Sequence, residues 1–223
     1  MLDFGFFYFF DLGYMVIGII GGLIAAWAAA KVKMTFHHYS RVRTANGMTG
    51  AQVARAILDR NALHDVPVER VGGMLSDHYD PSKRVLRLSP DVHDQPTVAA
   101  IGVAAHEAGH ALQHQAHYAP LALRQSIAPV AAISSNLAMP LIMIGIFAGM
   151  LGLAKIGILI FGVSVLFTLI TLPVEFNAST RAKAVLADYG MVSQAEGEGV
   201  RRVLSAAALT YVAAALTAVL YLL

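Results

Sequence analysis

Hydrophobic and polar positions divide the chain into four long uncharged runs and one polar segment. The uncharged runs cover residues 12–30, 127–154, 156–174 and 203–223. At 1.5 Å per residue, a helix made of the shorter runs reaches roughly 28 Å, which is close to the thickness of the hydrocarbon core of a bilayer. The pattern therefore predicts four transmembrane helices. Because only Lys155 separates the second and third runs, these two helices are expected to form a tight antiparallel hairpin.

The polar segment, residues 31–125, is predicted to form a small α+β domain. Residues 49–61 have apolar side chains at helical spacing, and Thr49 is available as their N-cap. Two β-prone runs, 66–75 and 84–88, flank the turn-forming sequence SDHYDPSK and predict a β-hairpin. A second helix is expected from Thr97 to about His117. The predicted fold class is a mainly α membrane protein carrying a helix, a β-hairpin and a helix. Its segments are residues 1–30, 31–125, 126–174, 175–202 and 203–223.

Composition agrees with a membrane protein. Of the 223 residues, 57% are apolar and 13% are charged, whereas soluble domains carry about 25% charged residues. The mean hydropathy of +0.62 excludes a disordered chain and an ordinary soluble enzyme. A net charge of +2 is too small to indicate a nucleic-acid partner. Since the chain contains no cysteine, any metal must be held by His, Asp or Glu.

The basic residues predict an orientation in the membrane. All of the 16 Lys and Arg residues except Lys155 fall in segments that four spans place on one side. The positive-inside rule assigns that side to the cytoplasm, with both termini outside. The polar segment contains all nine histidines. A site on the cytoplasmic face of the plasma membrane is the resulting expectation.

One motif in the second predicted helix is typical of zinc hydrolases. His106 and His110 are four residues apart, so both imidazoles lie on one helix face and can bind one Zn²⁺. Glu107 lies beside them, where it can act as the base for a zinc-activated water. The alternative interpretation is a histidine pair that only packs by hydrogen bonds.

A catalytic zinc needs a third protein ligand, and the sequence offers His114, His117 and Glu175. His114 is a weak candidate, because its Cα lies about 12 Å along the helix from that of His106. Glu175 follows the third uncharged run, where a lone carboxylate is costly unless it is paired or bound to metal. Residue chemistry favours Glu175 and one zinc ion per chain, and the alternative is a Glu175 that is solvated or paired with Arg181.

Several other residues are candidates for substrate, lipid or helix contacts. His78 and Tyr79 either donate to the oxyanion of a tetrahedral intermediate or belong to a polar turn. Weaker oxyanion candidates are Tyr118, Arg181 and Tyr189. The spacings Gly18-x-x-x-Gly22 and Gly145-x-x-x-Gly149 favour helix packing within the chain, with a homo-oligomer as the alternative. A basic collar of Lys31, Lys33, Arg41 and Arg43 is expected to attract anionic lipids.

Four motifs together resemble the YugP-type membrane zinc metallopeptidases: VAAHEAGHALQH, LSDHYDP before a strand, LPVEFNAS after the third run, and the terminal AAALTYVAAAL. The resemblance covers residues 12–223. It implies that His106, His110 and Glu175 bind zinc and that Glu107 is the base.

More remotely, EFNAS is similar to the Glu-Phe-x-Ala-Asp of HtpX-like proteases, in which the Asp supports a zinc ligand. Ser179 stands in the place of that Asp. A serine can orient an imidazole by a hydrogen bond but brings no charge. Asn177 or an Asp of the hairpin is the alternative support.

The expected function is that of a zinc-dependent endopeptidase of the gluzincin type, embedded in the lipid bilayer. Its substrates would be membrane-proximal or unfolded proteins. The alternative is a catalytically silent, metal-bound scaffold that regulates other membrane proteins, although a scaffold has no need of Glu107. An ion transporter fits less well, because its ligands should lie at mid-membrane, whereas His106 and His110 fall outside all four runs.

Overall fold

The computed structural model describes residues 12–222 and is mostly helical. Both chain termini, which are predicted to lie outside the cell, fall outside the described residues. The described helices and strands are α1 Leu12–Tyr39, α2 Gly50–Arg60, β1 Val68–Arg70, β2 His78–Asp80, β3 Val85–Leu88, α3 Pro90–His93, α4 Val98–Gln115, α5 Ala119–Phe147, α6 Leu151–Asp188 and α7 Gln194–Leu222.

Among the described residues, α1, α5, α6 and α7 are long and apolar enough to cross a membrane, as predicted. Their ends differ from the prediction, since polar residues continue a helix beyond its apolar run. Helix α6 extends to Asp188, so most of the predicted 175–202 connection is helical. The α5–α6 turn lies at residues 148–150, before Lys155, because Gly149 adopts a left-handed conformation there with φ +66°.

The long helices pack in the order α5, α6, α7, α1. Glycines allow two of these contacts: a Cβ on Gly145 would overlap the backbone of Ala154, and one on Gly21 would lie 2.7 Å from the Thr217 methyl. A Cβ on Gly22 would meet nothing within 4 Å. The glycines thus serve packing inside the chain, although Gly21 replaces the predicted Gly22 and Gly149 forms a turn instead of a contact.

Residues 40–118, which lie outside the four candidate spans, form what is called here the extramembrane domain. It contains a three-stranded sheet in the order β1-β3-β2. Strand β1 is parallel to β3, and β2 is antiparallel to it. The predicted pairing of 66–75 with 84–88 as a hairpin is therefore wrong. The hairpin is β2–β3, because the Asp80 carboxylate accepts hydrogen bonds from the backbone N–H groups of Ser82 and Lys83 and so confines the turn to the residues after β2.

Helix α4 is the central element of the domain. Both predicted domain helices form, with Thr49 capping α2 through a capping box and Thr97 capping α4. One side of α4 packs against α2 and the sheet, and the other side packs against α6 and α7. Most of its residues are consequently buried, so the zinc-type motif lies where the domain meets the long helices.

We expect the domain and the α5–α6 turn to lie on opposite sides of the membrane. Ser82 lies in the exposed β2–β3 turn, so a cysteine at this position is accessible to reagents on its own side of the membrane. In a Ser82→Cys variant of this cysteine-free chain, a membrane-impermeant maleimide should label the cysteine only after the cells are lysed, because the positive-inside rule places this side in the cytoplasm. A Gly152→Cys variant, next to the α5–α6 turn, should react in intact cells. Labelling of Ser82→Cys in intact cells would contradict the cytoplasmic orientation.

Candidate metal centre

Two histidines of α4 and one glutamate of α6 bring their donor atoms together. Glu175 Oε2 lies 3.1 Å from His106 Nε2 and 3.6 Å from His110 Nε2. Donors held about 2.0–2.1 Å from one tetrahedral zinc ion lie about 3.3 Å apart, and both distances from Glu175 are close to this value. Among the described residues, these three form the one group of His, Asp or Glu side chains close enough to hold a metal together.

A glycine allows the three donors to meet. A Cβ on Gly109 would lie 2.7 Å from the carbonyl oxygen of Ala178, so the backbones of α4 and α6 are in contact at this point. Gly109 directly precedes His110, and Ala178 lies one helical turn after Glu175. A larger residue at position 109 would separate the two helices and therefore the donors.

Both imidazoles have an acceptor on the side away from the centre. His106 Nδ1 lies 3.1 Å from the Ser179 hydroxyl, and His110 Nδ1 lies 3.0 Å from Gln113 Oε1. With a proton on each Nδ1 donated to these oxygens, the Nε2 lone pairs point at the centre, as zinc binding requires. Ser179 thus makes the contact expected of it.

Gln113 is a residue that sequence reasoning missed. Its side chain is fully buried, and its amide nitrogen donates to the Val174 carbonyl over 2.8 Å and to Asn177 Oδ1 over 3.0 Å. Gln113 therefore ties His110 to the turn of α6 that carries Glu175. Asn177 supports this amide and contacts neither histidine directly. The available signal was a polar side chain three residues after His110, on a helix whose other positions are largely apolar.

Arg124 is the second residue that sequence reasoning missed. Its guanidinium donates to Glu175 Oε1 over 3.1 Å, so one carboxylate oxygen faces the histidines and the other is held by α5. Arg181 instead donates to Asn177. The alternative expectation of a solvated Glu175, or of one paired with Arg181, is wrong, because Glu175 is 3% exposed and bonded to Arg124.

Glu107 of α4 lies beside the donors and contacts β2, the edge strand of the sheet. It is 8% exposed, and its Oε2 accepts a hydrogen bond of 3.0 Å from the backbone N–H of Tyr79 in β2. The Tyr79 hydroxyl points elsewhere, to His114 Nδ1 at 2.9 Å. His78 is exposed, and its Nδ1 lies 2.8 Å from the Ser76 carbonyl. Tyr79 thus contacts Glu107 through its backbone, and an oxyanion role for the side chain of His78 or Tyr79 stays a prediction.

The remaining candidates have other partners. His114 bonds Tyr79, and His117 follows the end of α4 in a left-handed conformation with φ +49°. Neither belongs to the donor group. The hydroxyl of Tyr118 donates to the Pro173 carbonyl, and that of Tyr189 accepts from Asn61.

The electrostatic environment of the centre favours a cation. Burial lowers the pKa of His110, but the hydrogen bond to Glu175 and the negative charges of Glu107 and Glu175 outweigh burial and raise this pKa. Burial raises the pKa of Asp77, which lies near Glu107, although hydrogen bonds from Ser89 oppose the effect. His114 differs, because burial and the nearby charges of Arg84 and His117 lower its pKa.

Residues 14–223 match the family described as "Putative neutral zinc metallopeptidase". The chain belongs to this family. A curated relative, "Putative membrane protease YugP" of Bacillus subtilis (strain 168), is 51% identical over 94% of this chain and 92% of its own length. No solved structure matches the chain significantly. The family resemblance seen in the motifs is confirmed, and membership supports protease function, zinc binding and a membrane location in general terms.

Removing the Glu175 side chain should weaken zinc binding much more than removing the His114 side chain. We expect Glu175→Ala to lower zinc affinity by more than about 100-fold, because it deletes a donor and leaves Arg124 unpaired. His114→Ala should leave affinity within about threefold of the parent protein, since it removes only the Tyr79 contact. Competition with a chromophoric chelator measures both, and equal losses would refute the assignment of Glu175 as ligand.

Gln113→Leu should lower zinc affinity by about 10–100-fold, which is typical for loss of a partner that orients a metal-binding imidazole. Gln115→Leu is the matched control, because Gln115 lies on the same helix, is exposed and donates to the Asn61 carbonyl, away from the donor group. The visible absorption spectrum of the Co²⁺-loaded protein should change with Gln113→Leu and not with Gln115→Leu. Unchanged affinity in Gln113→Leu would show that the amide is dispensable.

Proposed function

We propose that this protein is a zinc-dependent endopeptidase with one zinc ion per chain, held by His106, His110 and Glu175. The observation that carries the proposal is the convergence of these three donors next to Glu107, a carboxylate held in place by the sheet. The proposed reaction is hydrolysis of a peptide bond at the cytoplasmic face of the membrane.

Zinc and Glu107 would have different roles in the reaction. Bound zinc would supply a Lewis acid that activates water and polarises the scissile carbonyl. Glu107 takes a proton from the attacking water and delivers it to the nitrogen of the leaving amine. The N–H of Tyr79 fixes one oxygen of this carboxylate and leaves the other for proton transfer. Arg124 holds Glu175 from the opposite side, so the donor set does not depend on substrate for its shape.

The substrate class follows from the strand next to the base. Strand β2 lies at the outer edge of the sheet and pairs with β3 along one side only. An extended peptide can lie along such an edge through main-chain hydrogen bonds other than that of the Tyr79 N–H, which already donates to Glu107, and this places the peptide backbone next to Glu107. A folded loop does not present an extended main chain, so unfolded segments are favoured.

The position of the site along the membrane normal supports membrane-proximal substrates. Glu175 directly follows the uncharged run 156–174 of α6, and α5 supplies Arg124 just before its own apolar run. The centre therefore lies at the level where the apolar parts of the two helices end. A peptide that emerges from the bilayer would meet the site within a few residues.

Glu107→Gln should lower the cleavage rate by about 10²–10⁴, since it removes the general base, while zinc content stays near one ion per chain. The assay uses purified full-length protein, a fluorescently labelled unfolded protein and a chelator arm. Glu69→Gln, which changes an exposed glutamate of β1, is the matched control.

Three outcomes contradict parts of the proposal. Loss of zinc in Glu107→Gln would make Glu107 a ligand instead of a base. Full activity in Glu107→Gln would exclude it from the reaction. A zinc-loaded parent protein that cleaves no unfolded substrate would favour the silent scaffold.

A further inference from the structure

A groove between α1 and α7 lies where both helices leave their uncharged runs. It encloses a cavity of about 540 Å³ and is lined by one face of each helix. Lys31, Arg201 and Arg202 provide positive charge, whereas Met34, Ala206 and Leu209 provide apolar surface. The groove therefore combines a basic part and an apolar part within one cavity, on the domain side of the membrane helices.

Lys31 lies deeper along the groove than the two arginines. Helices α1 and α7 are antiparallel, with Gly21 against Thr217 at one level and Tyr39 against Gly199 at another. This register places Lys31 opposite residue 207 of α7. That level is about six residues, or roughly 9 Å, from Arg201 toward the membrane interior. Lys31 therefore faces the uncharged part of α7.

The positive charge of the groove is not balanced by the described residues. Glu198 is shared between Arg201, at 2.6 Å, and Arg202, at 3.3 Å. Within residues 12–222, Lys31 is in no ion pair. Two positive charges thus remain in excess beside apolar surface. A cation at the edge of the hydrocarbon region is costly unless an anion accompanies it.

We propose that this groove binds one anionic phospholipid. The phosphate lies between Lys31 and Arg202, at the level of Met34 and Ala206, and an acyl chain passes Leu209 toward the membrane interior. An anionic lipid fits better than a zwitterionic one, because the ammonium of a choline headgroup would add a third positive charge. A free phosphate ion would leave the apolar part of the groove uncovered.

The chain contains a single tryptophan that reports on this groove. Trp27 lies four residues before Lys31, on the same face of α1, and is 57% exposed. Brominated lipids quench tryptophan fluorescence on contact. The full-length protein is reconstituted into phosphatidylcholine bilayers containing brominated phosphatidylglycerol. A second sample contains brominated phosphatidylcholine with unbrominated phosphatidylglycerol, and the quenching in the two samples is compared. Quenching should indicate about a 30-fold preference for phosphatidylglycerol, since two excess basic residues each add about 1 kcal/mol of attraction and 1.4 kcal/mol corresponds to about tenfold.

Two variants and one salt series test the assignment. Lys31→Gln combined with Arg202→Gln should reduce the preference to about onefold. Lys33→Gln combined with Lys183→Gln removes the same charge outside the groove and should keep it. In the parent protein, 0.5 M NaCl should reduce the preference, a result that does not depend on any variant. Absence of a preference in the parent protein, or equal losses in both double variants, would overturn the proposal.

Discussion

The candidate centre depends on the backbone contact between α4 and α6 at Gly109 and Ala178. An α-helix normally keeps its neighbour 8–10 Å away, and only a residue without a Cβ permits the closer approach seen here. His110 follows Gly109 directly, and Glu175 precedes Ala178 by one turn. The spacing of the three donor atoms is consequently set by this contact more than by any hydrogen bond.

The hydrogen bonds around the donors hold the arrangement that the contact creates. Gln113 joins His110 to the backbone next to Glu175, while Ser179 holds His106 and Arg124 holds the outer oxygen of Glu175. Each of these partners comes from α4, α5 or α6. The extramembrane domain therefore supplies two donors and Glu107, and the long helices supply the third donor and most of its support. Neither part contains a complete centre.

Contacts from both the extramembrane domain and the long helices also support α4 outside the donor group. Strand β2 holds Glu107 from the extramembrane side, whereas α7 packs on both α4 and α1. The groove between α1 and α7 lies on this second contact, away from the donors. A lipid bound there would contact the helix pair that supports α4, without touching the centre.

Local features of the sequence determined the helices and most of the donor set. The uncharged runs are long enough for four spans, Thr49 and Thr97 cap helices by side-chain hydrogen bonds, and the spacing of His106 and His110 places both on one face. Glu175 was accessible to sequence reasoning because an isolated carboxylate beside an apolar run requires a partner. Family membership could likewise be inferred from four short motifs.

The tertiary structure decided what depends on contacts between distant residues. The pairing of β1 with β3 is parallel. The segment SDHYDPSK was expected to be a turn because of its turn-forming residues. It contains strand β2, because hydrogen bonds to Asp80 confine the turn to the residues after that strand. In the sequence Gln113 is only a polar position on a largely apolar helix, and Arg124 has no signature at all, since the roles of both depend on where α6 passes across α4 and α5. Periodicity and spacing report on a residue's own helix. The partner on the next helix is set by packing, which the one-dimensional pattern does not contain.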